Sequence, residues 1–228
     1  VTQALKPPPD RLYGRVKGKK LRPRQEWLLE NFLPQVSWPD VPFAGRIRET
    51  WLEVGFGGGE HAHALSLANP DIGIIAAEVF ETGICSLLSR LAPDAAARPL
   101  PPANLRLYTD DARPLLKDMP AASLSKIFLM FPDPWPKARH AKRRFVHPDL
   151  LHEVARVLQA KGEWRIASDD PTYQQWTDDV ISAQSKLTLL HRADSRPDGW
   201  PPTRYEAKAI AAGRQPVYWS LEKNEADC

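Results

Sequence analysis

The residues best suited to chemistry lie together in Phe131–Arg144, FPDPWPKARHAKRR. One carboxylate, Asp133, sits between Pro132 and Pro134, directly after the apolar run Ile127–Phe131. Trp135 follows, then the cations Lys137, Arg139, Lys142, Arg143 and Arg144, with His140 among them. Prolines cannot donate to a sheet ladder and fix their own φ, so they end a strand and hold Asp133 in a stiff turn at its C-terminal edge. Ligands bind at that edge of open α/β sheets. A rigid acid, a flat aromatic and a cationic run suit an electron-poor heterocycle carried on a phosphate backbone. A basic run alone would be a solvated loop; the acid and tryptophan beside it favour a site.

Other acids and glycines recur at strand ends. TWLEVG (Thr50–Gly55) runs into Gly55-Phe56-Gly57-Gly58-Gly59-Glu60 and then a helix over about 60–68. Glycines between strand and helix let backbone approach a ligand closely. A dinucleotide fingerprint needs a sixth-position glycine for helix packing, and here that position is Glu60. The pattern reads instead GxGxG through Gly55, Gly57 and Gly59. Glu78 ends the next strand, where an acid accepts ribose hydroxyls. Asp111 ends the third and could accept from an adenine amine. Glu53, inside a strand expected to be buried on both faces, needs either a basic neighbour or a cationic ligand group.

The elements that must position these groups alternate. Strands are expected at 50–55, 72–78, 105–108, 126–131, 163–167, 186–191 and 217–221. Helices are expected from Arg24, and at 60–68, 81–91, 114–117, from Pro148 until Gly162 closes it, 171–183 and 204–212. Such alternation makes a mostly parallel, doubly wound sheet, with an antiparallel hairpin at its end. Residues 1–22 are rich in proline and cations (Arg15, Lys17, Lys19, Lys20, Arg22) and read as a flexible basic arm before a single domain, 23–228. The arm is either a plain tail or a phosphate-grasping segment. Residues 92–103 form a Pro/Ala-rich surface insert.

Net charge is only +3 over 228 residues, but two local basic blocks suggest a polyanion partner. Two cysteines exclude a disulfide framework, and no Cys/His cluster suggests a metal. Cys85 reads as a buried free thiol. No run is long enough to span a membrane and no signal segment is visible, so the expectation is a cytoplasmic protein.

The chain resembles the bacterial tRNA (guanine-N7)-methyltransferases, of the Rossmann-like, S-adenosylmethionine-dependent class I methyltransferases. The resemblance runs from YGRVKGKKLRP through LEVGFGGGE, TDDA, FPDPWPKARHAKRR and IASDD to TRYEAKAIAAG. It implies an α/β fold with a mostly parallel seven-stranded sheet, helices on both faces and an antiparallel last strand. It implies S-adenosyl-L-methionine as donor and tRNA as partner; methyl transfer from a sulfonium requires no metal, and a complete cofactor site and basic surface in one chain argue against an obligate protein partner. By resemblance Glu53, Glu78 and Asp111 contact the donor, and Asp133 is the catalytic position, also at the donor. Lys137, Asp169, Thr203, Arg204, Tyr205 and Glu206 map onto substrate-binding positions. Asp170 follows Asp169 where the family more usually has an aromatic, so either acid could face the guanine.

Guanine N7 has an in-plane lone pair and needs no general base, and its methylated ring is cationic. Carboxylates that position the base and stabilise that charge are the useful groups, and Asp133, Asp169 and Glu206 are of that type. Trp135 either stacks on the base or walls the pocket. Arg139, Lys142, Arg143 and Arg144 would grip tRNA backbone, and His140 suits phosphate contact. Thr203 and Glu206 also form a capping-box pattern. A nicotinamide-dependent oxidoreductase is disfavoured by Glu60 and by basic clusters a small substrate would not need. A non-catalytic RNA-binding module is disfavoured by the intact glycine turn and acids.

Overall fold

The computed structural model describes residues 16–18, 20–94 and 98–224. Most of the basic arm, including Arg15 and Lys19, and Ala95–Ala97 of the insert lie outside the described residues.

Seven strands form one sheet: β1 (Glu49–Val54), β2 (Ile72–Ala77), β3 (Leu105–Tyr108), β4 (Leu124–Met130), β5 (Leu158–Ser168), β6 (Leu187–Ala193) and β7 (Val217–Lys223). Their order is β3-β2-β1-β4-β5-β7-β6. The first five are parallel, and β7 runs antiparallel to both β5 and β6. Seven helices connect them: α1 (Pro23–Asn31), α2 (Glu60–Ala68), α3 (Glu81–Leu91), α4 (Ala112–Asp118), α5 (Pro148–Val157), α6 (Pro171–Ser182) and α7 (Arg204–Ala211).

Side chains alternate across each strand, so one sheet feeds two cores. Leu52, Val54, Ile127 and Leu129 face α4, α5 and α6. Trp51, Ile74, Phe128 and Met130 face α1, α2 and α3. Because β1 lies between β2 and β4, the chain reverses its direction of winding there and opens a crevice above their carboxyl ends.

The α5–β5 junction differs from expectation. Helix α5 stops at Val157, and β5 starts at once with Leu158 paired to Leu124. The register then shifts, Lys161 takes φ 61°, and Glu163 pairs with Lys126. Gly162 therefore sits inside the strand, where a Cβ would lie 2.8 Å from Gln159 O, and does not close the helix. The end of the expected arm is also placed: Val16 O accepts from Glu81 N at 2.9 Å, seating that segment on the first turn of α3.

Candidate active site

The crevice holds a cavity of about 440 Å³, with Gly55, Gly57, Glu78, Asp111, Asp133, Trp135, Arg143 and Tyr205 in its walls. Its floor is the turn after β1. Gly57 has φ 58°, and a Cβ there would lie 2.9 Å from Cε2 of Tyr205. Only glycine supplies that conformation and that approach without cost. Gly59 (φ 78°) begins α2, and a Cβ would lie 2.6 Å from Leu87 Cβ on α3. Gly59 is thus the close-packing glycine, one position earlier than the dinucleotide pattern. It does not line the cavity, so its expected donor contact becomes a helix-packing role. Glu60 pairs with Arg90 at 2.6 Å. Gly83 of α3 was not anticipated: a Cβ there would meet Gly57 O at 2.4 Å.

Glu78 is the anchor of this floor. Oε2 accepts from Gly57 N at 2.7 Å, and Oε1 accepts from Val79 N at 2.8 Å and Phe80 N at 3.0 Å. Burial raises its pKa above the ordinary carboxylate value; the three N–H donors oppose that and the Asp133 charge adds to it. The carboxylate is held rigid by three N–H donors, which leave one of its roughly four lone-pair sites, on Oε2, for a ligand hydroxyl. Asp111 caps α4 by accepting from Arg113 N at 3.0 Å, and the Arg113 guanidinium grips the same carboxylate. It lines the cavity as expected, already paired with a cation.

Glu53 lies beside this cavity, in a small pocket with Gly55, Thr203, Arg204 and Tyr205. It is 2% exposed on the α2 side of the sheet, and His61 Nδ1 lies 3.0 Å from its Oε2. His61 is a neighbour of the basic kind expected for Glu53, which does not line the main cavity. His61 Nε2 is buried and without a hydrogen-bond partner among the described residues.

The rim is the Pro132–Trp135 turn. Phe131 (φ 54°) and Trp135 (φ 44°) flank it in a region non-glycine residues rarely adopt. Phe131 N donates to Ala167 O at 2.8 Å, tying the turn to the end of β5. Asp133 is exposed at the cavity edge and, among the described residues, has no hydrogen-bond partner. Trp135 walls the cavity: its ring meets His140 edge-on at 5.9 Å and carries Arg143 over its face at 4.8 Å.

The basic run divides. Arg139 and Lys142 are exposed on a short 3-10 helix, Ala138–Arg143, and Lys137 is exposed at its N-cap. Arg143 is half-buried against Trp135 and lines the cavity. Arg144 corrects the expectation of a backbone grip: it is 5% exposed and donates to the carbonyls of Pro134 and Trp135.

On the far side, Thr203 Oγ1 accepts from Glu206 N at 3.0 Å, completing the capping box of α7. Glu206 is 8% exposed, and its Oε1 accepts from Arg196 Nε at 3.0 Å and from Tyr218 Oη at 2.8 Å. The expected guanine acceptor is therefore a buried hub that fastens α7 to β7. Arg204 and Tyr205 remain exposed, with Tyr205 leaning over the glycine turn. Asp170 caps α6 by accepting from Tyr173 N at 3.0 Å. Asp169 pairs with Arg214 at 2.7 Å, so of the two acids it is Asp169 that helix capping leaves available. No group of three or more metal-ligating side chains occurs among the described residues. No helix there is long and apolar enough to cross a membrane.

Comparison with known proteins agrees with this geometry. A family model described as "Putative methyltransferase" matches residues 48–218. The tRNA (guanine-N(7)-)-methyltransferase of Granulibacter bethesdensis is 58% identical over 218 residues, covering 94% of this chain and 96% of the relative. That of Paramagnetospirillum magneticum is 45% identical over 222 residues, covering 92% and 91%. In fold the chain is similar to the crystal structure of the 16S rRNA methyltransferase KamB, with TM-score 0.57 and 15% identity over 92% of this chain and 99% of that one. An antibiotic-related methyltransferase gives TM-score 0.55 at 13% identity over 78% and 90%. At those identities the likeness concerns the fold.

Proposed function

The chain belongs to the tRNA (guanine-N(7)-)-methyltransferase family, and from that premise we propose that it methylates N7 of a variable-loop guanine in tRNA, with S-adenosyl-L-methionine as donor. One observation carries the assignment of the site: a cavity at the β1–β4 switch has the glycine turn and Glu78 as its floor and, on its rim, an exposed Asp133 with no hydrogen-bond partner among the described residues.

The donor fits the groups present. The cavity volume suits a nucleoside-sized ligand, and Glu78 is an immobilised acceptor for a ribose hydroxyl. Asp111 is placed for the adenine, and Gly55 and Gly57 allow backbone approach. When bound, the sulfonium donor supplies an electrophilic methyl carbon. That methyl would pass to the guanine N7 lone pair, which carries no proton, so no residue of this chain would have to accept one.

Asp133 is therefore not needed as a base. Its carboxylate accepts hydrogen bonds from the guanine edge and offsets the positive charge that develops on the ring, a role for which an exposed acid on a stiff turn is suited. Trp135 and Arg143 wall the pocket into which the unstacked base would enter. Lys137, Arg139 and Lys142 carry tRNA phosphates on one side, and Arg204 and Tyr205 meet the nucleotide on the other. The basic arm, within 1–22, adds further phosphate contacts, and 23–228 forms the catalytic domain.

The test is incubation with unmodified tRNA transcript and methyl-labelled donor, followed by nucleoside analysis. Label in 7-methylguanosine alone supports the reading. Tight donor binding with label in another nucleoside, or in none, rejects the assigned substrate atom.

A further inference from the structure

The basic run ends in an arginine that is turned away from any polyanion. Lys137, Arg139 and Lys142 face solvent, whereas Arg144 is 5% exposed. Its Nε donates to Pro134 O at 3.2 Å and its Nη2 to Trp135 O at 3.1 Å. Its guanidinium lies 4.8 Å over the ring of Trp176 on α6. Trp176 in turn donates its indole N–H to Val146 O, and Val146 N donates to Tyr173 Oη at 3.2 Å. One stack of side chains on α6 thus holds the chain on both sides of the basic run.

The turn needs such a hold. Pro132, Pro134 and Pro136 have no N–H, so the segment can be fastened chiefly through its carbonyls. Trp135 sits at φ 44°, a strained conformation that persists only where its surroundings impose it. The two carbonyls that Arg144 grips belong to the residues directly after Asp133. A planar fork with two parallel donors and an aromatic stacking face meets both; a lysine ammonium would reach one and stack poorly.

Resting on the proposed reaction, we infer that Arg144 is a positioning residue: its fork fixes the Pro134–Trp135 segment, setting Asp133 on one side and the Trp135 wall on the other, and it does not contact tRNA.

Arg144→Lys is the discriminating variant, because it keeps the charge that a phosphate contact would use and loses the fork. The variant should lower kcat by about 10–100-fold, the scale of a small misplacement of a catalytic group. Affinities for donor and tRNA, and the salt dependence of tRNA binding, should match wild type, whereas Lys142→Ala should weaken tRNA binding and flatten its salt dependence. Combined with Asp133→Asn, the losses in kcat should be less than additive, since one acts through the other. Trp176→Leu, which removes the stacking surface together with the indole N–H bond to Val146 O, should reproduce the kcat loss in milder form and serves if Arg144→Lys fails to fold. A wild-type enzyme active in the same assay secures the underlying reaction. An Arg144→Lys enzyme as fast as wild type, additive losses with Asp133→Asn, or a fall in tRNA affinity with kcat retained would each overturn the inference alone.

Discussion

Glu78 Oε2 accepts from the backbone N–H of Gly57 across the floor of the cavity at 2.7 Å. The bond ties the end of β2 to the glycine turn after β1, so the acid expected to hold the donor ribose also shapes the turn that the donor approaches. Glu78→Gln keeps the size and loses the charge-assisted acceptor. Donor affinity should fall by about 10–100-fold, the equivalent of roughly 1.5–3 kcal/mol for a hydrogen bond to a charged group, as read by calorimetry. Unchanged affinity would remove Glu78 from the donor site.

The same residue sets a pH dependence. Its pKa is raised by burial and by Asp133. The ionised form is the acceptor, so donor affinity should decline as pH falls through a value above the ordinary carboxylate range. Stability runs oppositely: the folded state holds this proton more tightly than the unfolded one, so Glu78 costs stability as pH rises from the ordinary value through the raised one. Titration of donor binding in wild type and Glu78→Gln checks the first sign; the variant should lose this limb.

Gly59→Ala tests the packing role assigned to the glycine that faces α3. The new Cβ would lie 2.6 Å from Leu87 Cβ at φ 78°. Gly45 has nearly the same φ, 79°, with nothing within 4 Å. Gly45→Ala should therefore cost only the backbone strain, about 1 kcal/mol. Gly59→Ala should cost about 2–4 kcal/mol by adding overpacking of the α2–α3 contact. Urea unfolding of the two variants isolates the packing contribution, and equal costs would refute it.

Glu163 on β5 offers an acid-stability test away from the cavity. Burial alone would raise its pKa. Hydrogen bonds from Arg165, Ser220 and Lys126, with the Arg165 charge, overcome this and lower it to about 2. Its contribution is fully present above the unfolded carboxylate pKa and is lost as pH falls from about 4.5 towards about 2. Glu163→Gln should cost about 1–3 kcal/mol at neutral pH, after discount for partial exposure, with less difference from wild type near pH 2. Unfolding curves across that range give the comparison.

Alanine at Lys137, Arg139 and Lys142 together should weaken tRNA binding and reduce the slope of log affinity against log salt by about 0.7–0.9 for each phosphate no longer neutralised. Donor affinity should be unaffected. Filter binding at several salt concentrations measures the tRNA slope, calorimetry the donor affinity, and an unchanged slope would move the RNA path off this helix.

The strand-end acids were legible in the sequence because their placement follows from chain periodicity: a strand, a turn and an acid recur at Glu78, Asp111 and Asp133. Partnership was not legible. Arg144 has the same residue type and local context as Arg143, and only the fold shows that α6 supplies Trp176 beneath it. Glu206 matched a capping box and a substrate motif together, and its burial depended on Arg196 and Tyr218, one of them on another strand. Glu53 was recognisable as an anomaly, a carboxylate in a buried strand, but that α2 brings His61 to it is visible only in the fold. Gly162 misled because glycine so often ends a helix; here it serves a register shift within β5.

The central claim is that Asp133 on its stiff turn drives methyl transfer to one guanine of tRNA. Borohydride and aniline treatment cleaves tRNA at N7-methylguanosine, so it maps the product directly. Wild-type protein with unmodified transcript and S-adenosylmethionine should give a single cleavage in the variable loop. Asp133→Asn should slow the appearance of that cleavage by about 100–1000-fold while still binding tRNA. Cleavage at many guanines, or cleavage appearing as fast with the variant as with wild type, would contradict the account.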